Sequence, residues 1–371
     1  MTYLDHGATS FPKPQTVTRA MVRAMDTCAN PGRGGYDAAM RASGVLLRCR
    51  EQAGELFSCN PEQVVLTASC THGLNMAIRT LVRPGSRVVI SGFEHNAVVR
   101  PLHALGAKIH VAGRKLFDRA DTLREFEKTL RQGVDAAVFT HVSNVFGYIL
   151  PVEELAALCR HYKVPFIVDC AQSAGSLPVN LRNWGADFIA MPGHKGLLGP
   201  MGTGLLLCGR VPEPLLQGGT GSNSRDFRMP EFLPDAGEAG TANVAGVAGL
   251  TAGITQVRNL GLSRIFAAEH KQMRRCADML KKFGFQVFDG EDQCGTVSFV
   301  PNLDTEEMAA FLGEEGICTR AGLHCAPLAH ESAGTLDTGT VRISFGWDAS
   351  ARQTGNLAAA LEKYRRNREI Q

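Results

Sequence analysis

The residues of this chain that could do chemistry gather around one lysine. The stretch 188–207 reads FIAMPGHKGLLGPMGTGLLL, an apolar run that presents His194 and Lys195 and then returns through glycines to apolar residues. A lysine at the end of a buried strand loses its charge readily and becomes an amine nucleophile able to form Schiff bases. The small residues around it are expected to give a large planar ligand room to approach. A surface lysine in a glycine turn fits the same local sequence, so the other strand ends must decide.

Four more apolar runs end in polar residues. After Val65-Leu66-Thr67 comes Ser69-Cys70-Thr71. Hydroxyls and free amides opening a helix suit phosphate, although an ordinary N-cap has the same composition. After Val88–Ser91 comes His95, whose ring could stack on an aromatic ligand or cap the following helix. After Val138–Thr140 comes Asn144, whose amide can donate to a phenolate-like oxygen. After Phe166–Val168 comes Asp169, a carboxylate that is costly there unless paired with a cation. A metal would need a second acid at ligand spacing or an HExxH or EF-hand pattern, and none is found, whereas a protonated ring nitrogen would satisfy it. An acid for a pyridinium, a lysine for an aldehyde, a phosphate loop and a flat ring together specify pyridoxal 5′-phosphate.

The elements that must carry these residues alternate. Helices are expected over 15–28 and 37–57, separated by the turn chemistry of Asn30–Tyr36 with its lone Arg33. Strands are expected over 63–67, 87–91, 108–111, 136–140, 165–168, 188–190 and 204–207, with helices over 74–81, 97–105, 122–131 and 152–162. That rhythm implies an α/β fold with a mostly parallel sheet covered by helices, whose strand carboxyl ends converge on one crevice. A glycine-rich, strand-poor stretch over 216–240 breaks the rhythm. Helices over 241–260 and 262–283 follow, and the remainder reads as a smaller α+β domain. The expected division is a large cofactor-binding domain, 11–258, and a small domain of 1–10 and 259–371.

Composition narrows the class. The chain has 371 residues, is 44% apolar and 20% charged, and carries a net charge of +3, too weak to argue for nucleic acid. No stretch approaches the ~18 apolar residues of a membrane span, and MTYLDHGATSFPKP lacks the apolar core of a signal peptide. Eleven cysteines without a CxxC are expected to be reduced, in a cytoplasmic protein, and most of them to pack as small core residues.

The motifs YLDHGATS, SCTHGLN, EHNAVVRP, HVSNVFGYILP, VDCAQSAG, GHKGLLGPMGTG, GTANVAG, RAGLHCAP and VRISF resemble, nearly end to end, the class V aminotransferases, and within them the cysteine desulfurases and selenocysteine lyases. The resemblance implies pyridoxal-phosphate fold type I and assigns roles. Lys195 would hold the cofactor aldehyde as a Schiff base, Asp169 would pair with the pyridine nitrogen, His95 would stack on the ring and Gln172 would contact its phenolic oxygen. Thr71, the Cys70 amide and His194 would bind the phosphate, with Thr241 reaching in from a second subunit of a homodimer. Asn144 and Arg342, the latter as a bidentate fork, would grip the substrate carboxylate, with Arg33 at the rim near the partner subunit.

Cys325 would accept sulfur from L-cysteine, leaving L-alanine, with Lys195 as the base and His324 or Arg320 favouring the thiolate. A short Cys loop resembles the subgroup that hands its sulfur to a dedicated acceptor protein. The chain departs from the family at Pro192, where a hydroxyl often precedes Gly-His-Lys, at His6, where Asn is frequent, and at Leu323, where another His can stand. L-Selenocysteine as substrate, or an aminotransferase or β-lyase reaction that does not need Cys325, are the alternatives.

Overall fold

The computed structural model describes residues 1–32, 34–222 and 224–369. A two-residue strand, β1 (Thr2–Tyr3), precedes helices α1 (Gln15–Thr27) and α2 (Asp37–Phe57). The alternation is then β2 (Val64–Thr67), α3 (Cys70–Leu81), β3 (Arg87–Ser91), α4 (Asn96–Ala104), β4 (Lys108–Ala112), α5 (Arg119–Arg131), β5 (Ala136–Thr140), α6 (Val152–His161), β6 (Phe166–Asp169), α7 (Leu181–Trp184), β7 (Phe188–Pro192) and β8 (Gly204–Cys208). Beyond a long loop come α8 (Val244–Leu260), α9 (Leu262–Lys282), β9 (Gln286–Phe288), β10 (Thr296–Val300), α10 (Thr305–Glu314), β11 (Ile317–Cys318), α11 (Pro327–Ala333), β12 (Val341–Ser344) and α12 (Ala351–Glu369). Among the described residues no helix is long and apolar enough to cross a membrane.

Seven strands form one sheet in the order β2-β8-β7-β6-β5-β3-β4, and β8 alone runs against the others. Every residue of β5, β6, β7 and β8 is buried, as expected of strands covered on both faces. One face packs on α2, α5, α6 and α8 through Phe57, Phe126, Leu155 and Ile254; the other packs on α3 and α4 through Leu74, Ile78, Val98 and Leu102. The remaining strands form an antiparallel sheet β12-β10-β9 and a parallel pair β1-β11. Leu4, Met273, Phe299, Leu312 and Leu361 share a core there. We propose the two-domain division on that basis, with residues 1–10 joining the C-terminal part. The expected boundary at 258/259 falls inside the last turn of α8, and the break between α8 and α9 is Gly261 at φ +83°.

Helix starts differ from expectation by three or four residues at α3, α5 and α8, each because a side chain caps earlier or later. The first, α3, begins at Cys70 rather than Leu74, since Ser69 accepts from the His72 amide at 3.1 Å. Next, α5 begins at Arg119 rather than Thr122, since Asp118 accepts from the Asp121 amide at 2.8 Å. The last, α8, begins at Val244 rather than Thr241, since Asn243 accepts from the Gly246 amide at 2.9 Å, which leaves Thr241 in the loop. Helix α11 was not anticipated; Pro327 opens it and Gly334, left-handed, closes it.

The glycines around Lys195 also have another purpose than room for a ligand. A Cβ on Gly193 would strike the Thr203 hydroxyl, one on Gly196 the Ala174 carbonyl, and one on Gly199 the Gly193 carbonyl and Leu250. They let the lysine loop pack tightly against the turn after β6 and against α8, which fixes where Lys195 stands.

Candidate active site

The parallel strands β2, β3, β5, β6 and β7 end at one edge of the sheet, and register sets their spacing: Thr140 lies beside Asp169, and Asp169 beside Ala190. Past those ends lies a cavity of about 300 Å³ lined by Cys70, Thr71, His95, Asn144, Asp169, Gln172, His194, Lys195, Cys325 and Arg342. Ten of the twelve site residues expected from the sequence thus share one wall. Its size falls at the small end of ordinary small-molecule sites.

The Lys195 amine makes no hydrogen bond or ion pair with the described residues. Burial first, and then the Arg342 charge, lower its pKa, with Cys70, Asp169 and Asp5 acting in the opposite sense. Asp169 is buried, and its Oδ1 accepts from the Ala171 amide at 2.9 Å and from the Cys70 thiol at 3.4 Å. His95 caps α4, Nδ1 accepting from the Ala97 amide at 3.0 Å, and its ring lines the cavity. Burial lowers its pKa, which keeps the ring neutral with the proton on Nε2.

His194 is half-buried, its pKa pushed down to about 4 by burial, and its Nδ1 lies 3.1 Å from the Thr9 hydroxyl. Its carbonyl accepts from Lys13 Nζ at 2.7 Å. Gln172 donates to the Gly7 carbonyl at 3.0 Å. These groups fit pyridoxal phosphate: an amine whose pKa burial lowers, a carboxylate with one oxygen already fixed, a flat neutral ring, and the first amides of a twelve-residue helix. Among the described residues no group of His, Cys, Asp or Glu is arranged to hold a metal.

Cys325 is exposed on a short loop between β11 and α11. His324 and Cys325 both take left-handed backbone, at φ +49° and +57°, an unusual state for non-glycine residues that outside contacts must hold. The contacts are on the two carbonyls. Asn144 Nδ2 donates to His324 O at 2.7 Å, and the first amide of α4, Asn96 N, donates to Cys325 O at 2.7 Å. Asn144 therefore spends one amide hydrogen on the loop. The His324 ring is buried against Thr340, and its pKa falls to about 2 through burial and the Arg342 charge. It stays neutral and supplies no charge to Cys325, contrary to the expectation for it.

Arg342 differs from the free fork that was expected. Nη2 donates to Asp5 Oδ1 at 2.8 Å, Nη1 to the Asn144 carbonyl at 2.9 Å, and the buried Nε has no protein partner. Of five N–H donors, three remain for a substrate. Asp5 also holds Arg320, at 2.8 Å and 3.1 Å, beside Cys325. Asp5 was given no role from the sequence; the one signal for it was a carboxylate directly after an apolar residue with no cation nearby in the chain.

Two expected residues stand elsewhere. Thr241 lines a separate cavity of about 790 Å³ together with Asn30, Leu47, His72 and Leu216. Arg33 lies outside the described residues.

Comparison with known proteins agrees with this geometry. Residues 2–357 match the sequence family described as aminotransferase class-V. A probable cysteine desulfurase of Methanothermobacter thermautotrophicus is 33% identical, over 97% of this chain and 94% of its own. One from Pyrococcus abyssi is 30% identical, over 97% and 93%. The solved apo cysteine desulfurase of Thermococcus onnurineus superimposes with a TM-score of 0.91 at 31% identity, covering 98% of this chain and 94% of that one. Lysine, aspartate and histidine at the strand ends, the α/β scaffold behind them and these relatives agree, and the chain belongs to the class-V aminotransferase family, in its cysteine desulfurase group.

Proposed function

We propose that the protein is a pyridoxal-phosphate-dependent cysteine desulfurase that converts L-cysteine to L-alanine and takes the sulfur onto Cys325 as a persulfide. The observation that carries this reading is an exposed thiol, pinned at its own carbonyl by α4, on the rim of the cavity that holds an unpartnered lysine. Aminotransferases and β-lyases have no use for such a thiol.

When bound, the cofactor supplies an electron sink that weakens the α-C–H bond of an amino acid. Asp169, one oxygen of which accepts from the Ala171 amide, would pair with the cofactor's ring nitrogen, and His95, held by the cap it makes, would stack on the ring. Thr71, the Cys70 amide and His194 would hold the phosphate, and Gln172 would contact the phenolic oxygen. Arg342 and Asn144 orient the substrate carboxylate with the donors the protein leaves free. Lys195, whose pKa burial lowers, accepts the α-proton at Nζ. Cys325, as thiolate, attacks the substrate sulfur: the S–S bond forms, the C–S bond breaks, and the carbon left behind takes a proton to become the methyl of alanine. Arg320, held by Asp5, lines the cavity beside Cys325.

A second copy of the chain would supply Thr241 to the phosphate and Arg33 to the rim. The exposed Leu47 and Leu216 around the Thr241 cavity support a covered surface there. A sulfur-acceptor protein would then collect the persulfide sulfur from the exposed loop.

The test is alanine formation from L-cysteine by holoenzyme with a reductant present, beside Cys325→Ala. The expected result is alanine and sulfide from the parent, and a variant that keeps the cofactor absorbance but makes no alanine. Equal sulfide release by both proteins would refute the role of Cys325. Activity on L-selenocysteine alone would move the substrate from sulfur to selenium.

A further inference from the structure

Behind Lys195 lies a second chamber, of about 40 Å³, that the proposed reaction does not use. It shares Gly7, Ala171, Gln172 and Lys195 with the main cavity, and its far wall carries His6, Glu269 and Trp347. These side chains make no hydrogen bond with the described residues. His6 is 6% exposed and neither ring nitrogen has a hydrogen bond; Asp348 Oδ1 lies 3.4 Å from Nε2 as an ion-pair contact. The Trp347 indole N–H is buried without an acceptor. Glu269 makes no hydrogen bond with the described residues, and burial together with Asp348 raises its pKa to about 8.

Two side chains with buried, unmet polar atoms, His6 and Trp347, stand around one chamber, which is costly if the chamber is dry. A space of this size holds roughly two to four waters, and internal water is what satisfies such groups in native proteins. The His6 ring is held in place from behind, because a Cβ at Gly346 would land on it. The route also has an outlet, since the Asp348 side chain is 34% exposed. Charged and titratable groups facing this line are Asp5, Lys13 and Asp348 toward His6, Asp348 toward Glu269, and Arg342 and Asp169 toward Lys195.

We infer that the chamber is a water-filled proton path from Lys195 to solvent past Glu269, His6 and Asp348, which makes His6 and Glu269 proton-transfer residues of this enzyme. The inference rests on the reading of Lys195 as the amine that moves the substrate proton. Conversion of L-cysteine to L-alanine is neutral in protons overall. The substrate thiol proton leaves when its sulfur is taken, and one proton is added at the carbon that becomes the methyl. Loss and gain occur at different places and times, with substrate filling the main cavity, so Lys195 needs a reservoir on its other side.

Holoenzyme given α-deuterated L-cysteine in ordinary water tests this. In the wild type Lys195 exchanges the deuteron with the chamber, and little returns to alanine. In Glu269→Gln, which keeps the shape, and His6→Phe, which keeps a flat ring, deuterium retained in alanine is expected to rise at least threefold. Equal retention in all three proteins overturns the path while leaving the desulfurase reading intact; no alanine from the wild type overturns the desulfurase reading itself. A crystal structure of the wild-type protein, independent of turnover, is expected to hold ordered waters on Trp347 Nε1 and on His6. A chamber without them overturns the inference whatever the variants do.

Discussion

Replacing Asp5 by asparagine keeps the shape of the side chain and removes the one negative charge between two arginines. Arg342 is almost wholly buried, its side chain 3% exposed against 10% for Asp5, and their atoms lie 2.8 Å apart. Leaving a buried charge without its counter-charge costs about 3–5 kcal/mol. The loss at Arg320, whose side chain is half exposed, is screened by solvent and adds about 0–1 kcal/mol. An unfolding entropy of roughly 2.1 cal/mol/K per residue over 371 residues gives ~0.8 kcal/mol/K, so ~3–6 kcal/mol lowers the melting temperature by about 4–8 °C. Differential scanning calorimetry of the two proteins measures it, with and without cofactor. Arg342 also loses the bond that sets its orientation, so KM for L-cysteine is expected to rise more than kcat falls. A melting shift under about 1 °C with an unchanged KM would refute the view that Asp5 holds Arg342 for the substrate.

Glu94 is fully buried, accepts from the Thr140 amide at 2.8 Å and from the Ser91 hydroxyl, and has a pKa raised by burial from 4.5 to about 8. The folded protein therefore keeps a proton that the unfolded chain has lost between pH 4.5 and 8, and stability from this group falls as pH rises through that window. Relative to Glu94→Gln, the wild type should lose about 1.4 kcal/mol per pH unit between pH 5 and 7. Denaturant titrations at both pH values check this, and a constant gap between the two proteins would show that Glu94 does not hold the proton. Gly196→Ala places a Cβ on the Ala174 carbonyl and should displace Lys195, lowering cofactor occupancy at least tenfold in an absorbance titration while the far-ultraviolet dichroism stays that of the parent.

Much of the scaffold was legible because it is written in local pattern. Short apolar runs alternating with amphipathic helices are periodic in the chain, and β3, β5 and α2 were read from that period to the residue. A parallel sheet puts its strand carboxyl ends on one edge, so Cys70, His95, Asn144, Asp169 and Lys195 could be brought together in advance. Helix starts were less legible, since α3 and α8 are set by single caps at Ser69 and Asn243 rather than by the apolar stripe.

The sequence by itself determined the α/β class and the order of the sheet-forming strands along the chain, because these follow from periodicity, and it set Cys70, His95, Asn144, Asp169 and Lys195 a few positions beyond a strand end; Cys325 and Arg342 came from the family resemblance. Only the tertiary structure decided that Asp5 stands between Arg320 and Arg342, 315 and 337 residues away. It alone decided that Asn144 and α4 hold the Cys325 loop in left-handed backbone, and that His324 is neutral rather than a helper for the thiol. Charge pairing, burial and the pKa values that follow depend on distances between segments that no local pattern fixes; they exist only once the β1 end of the chain has been laid against β11 and β12.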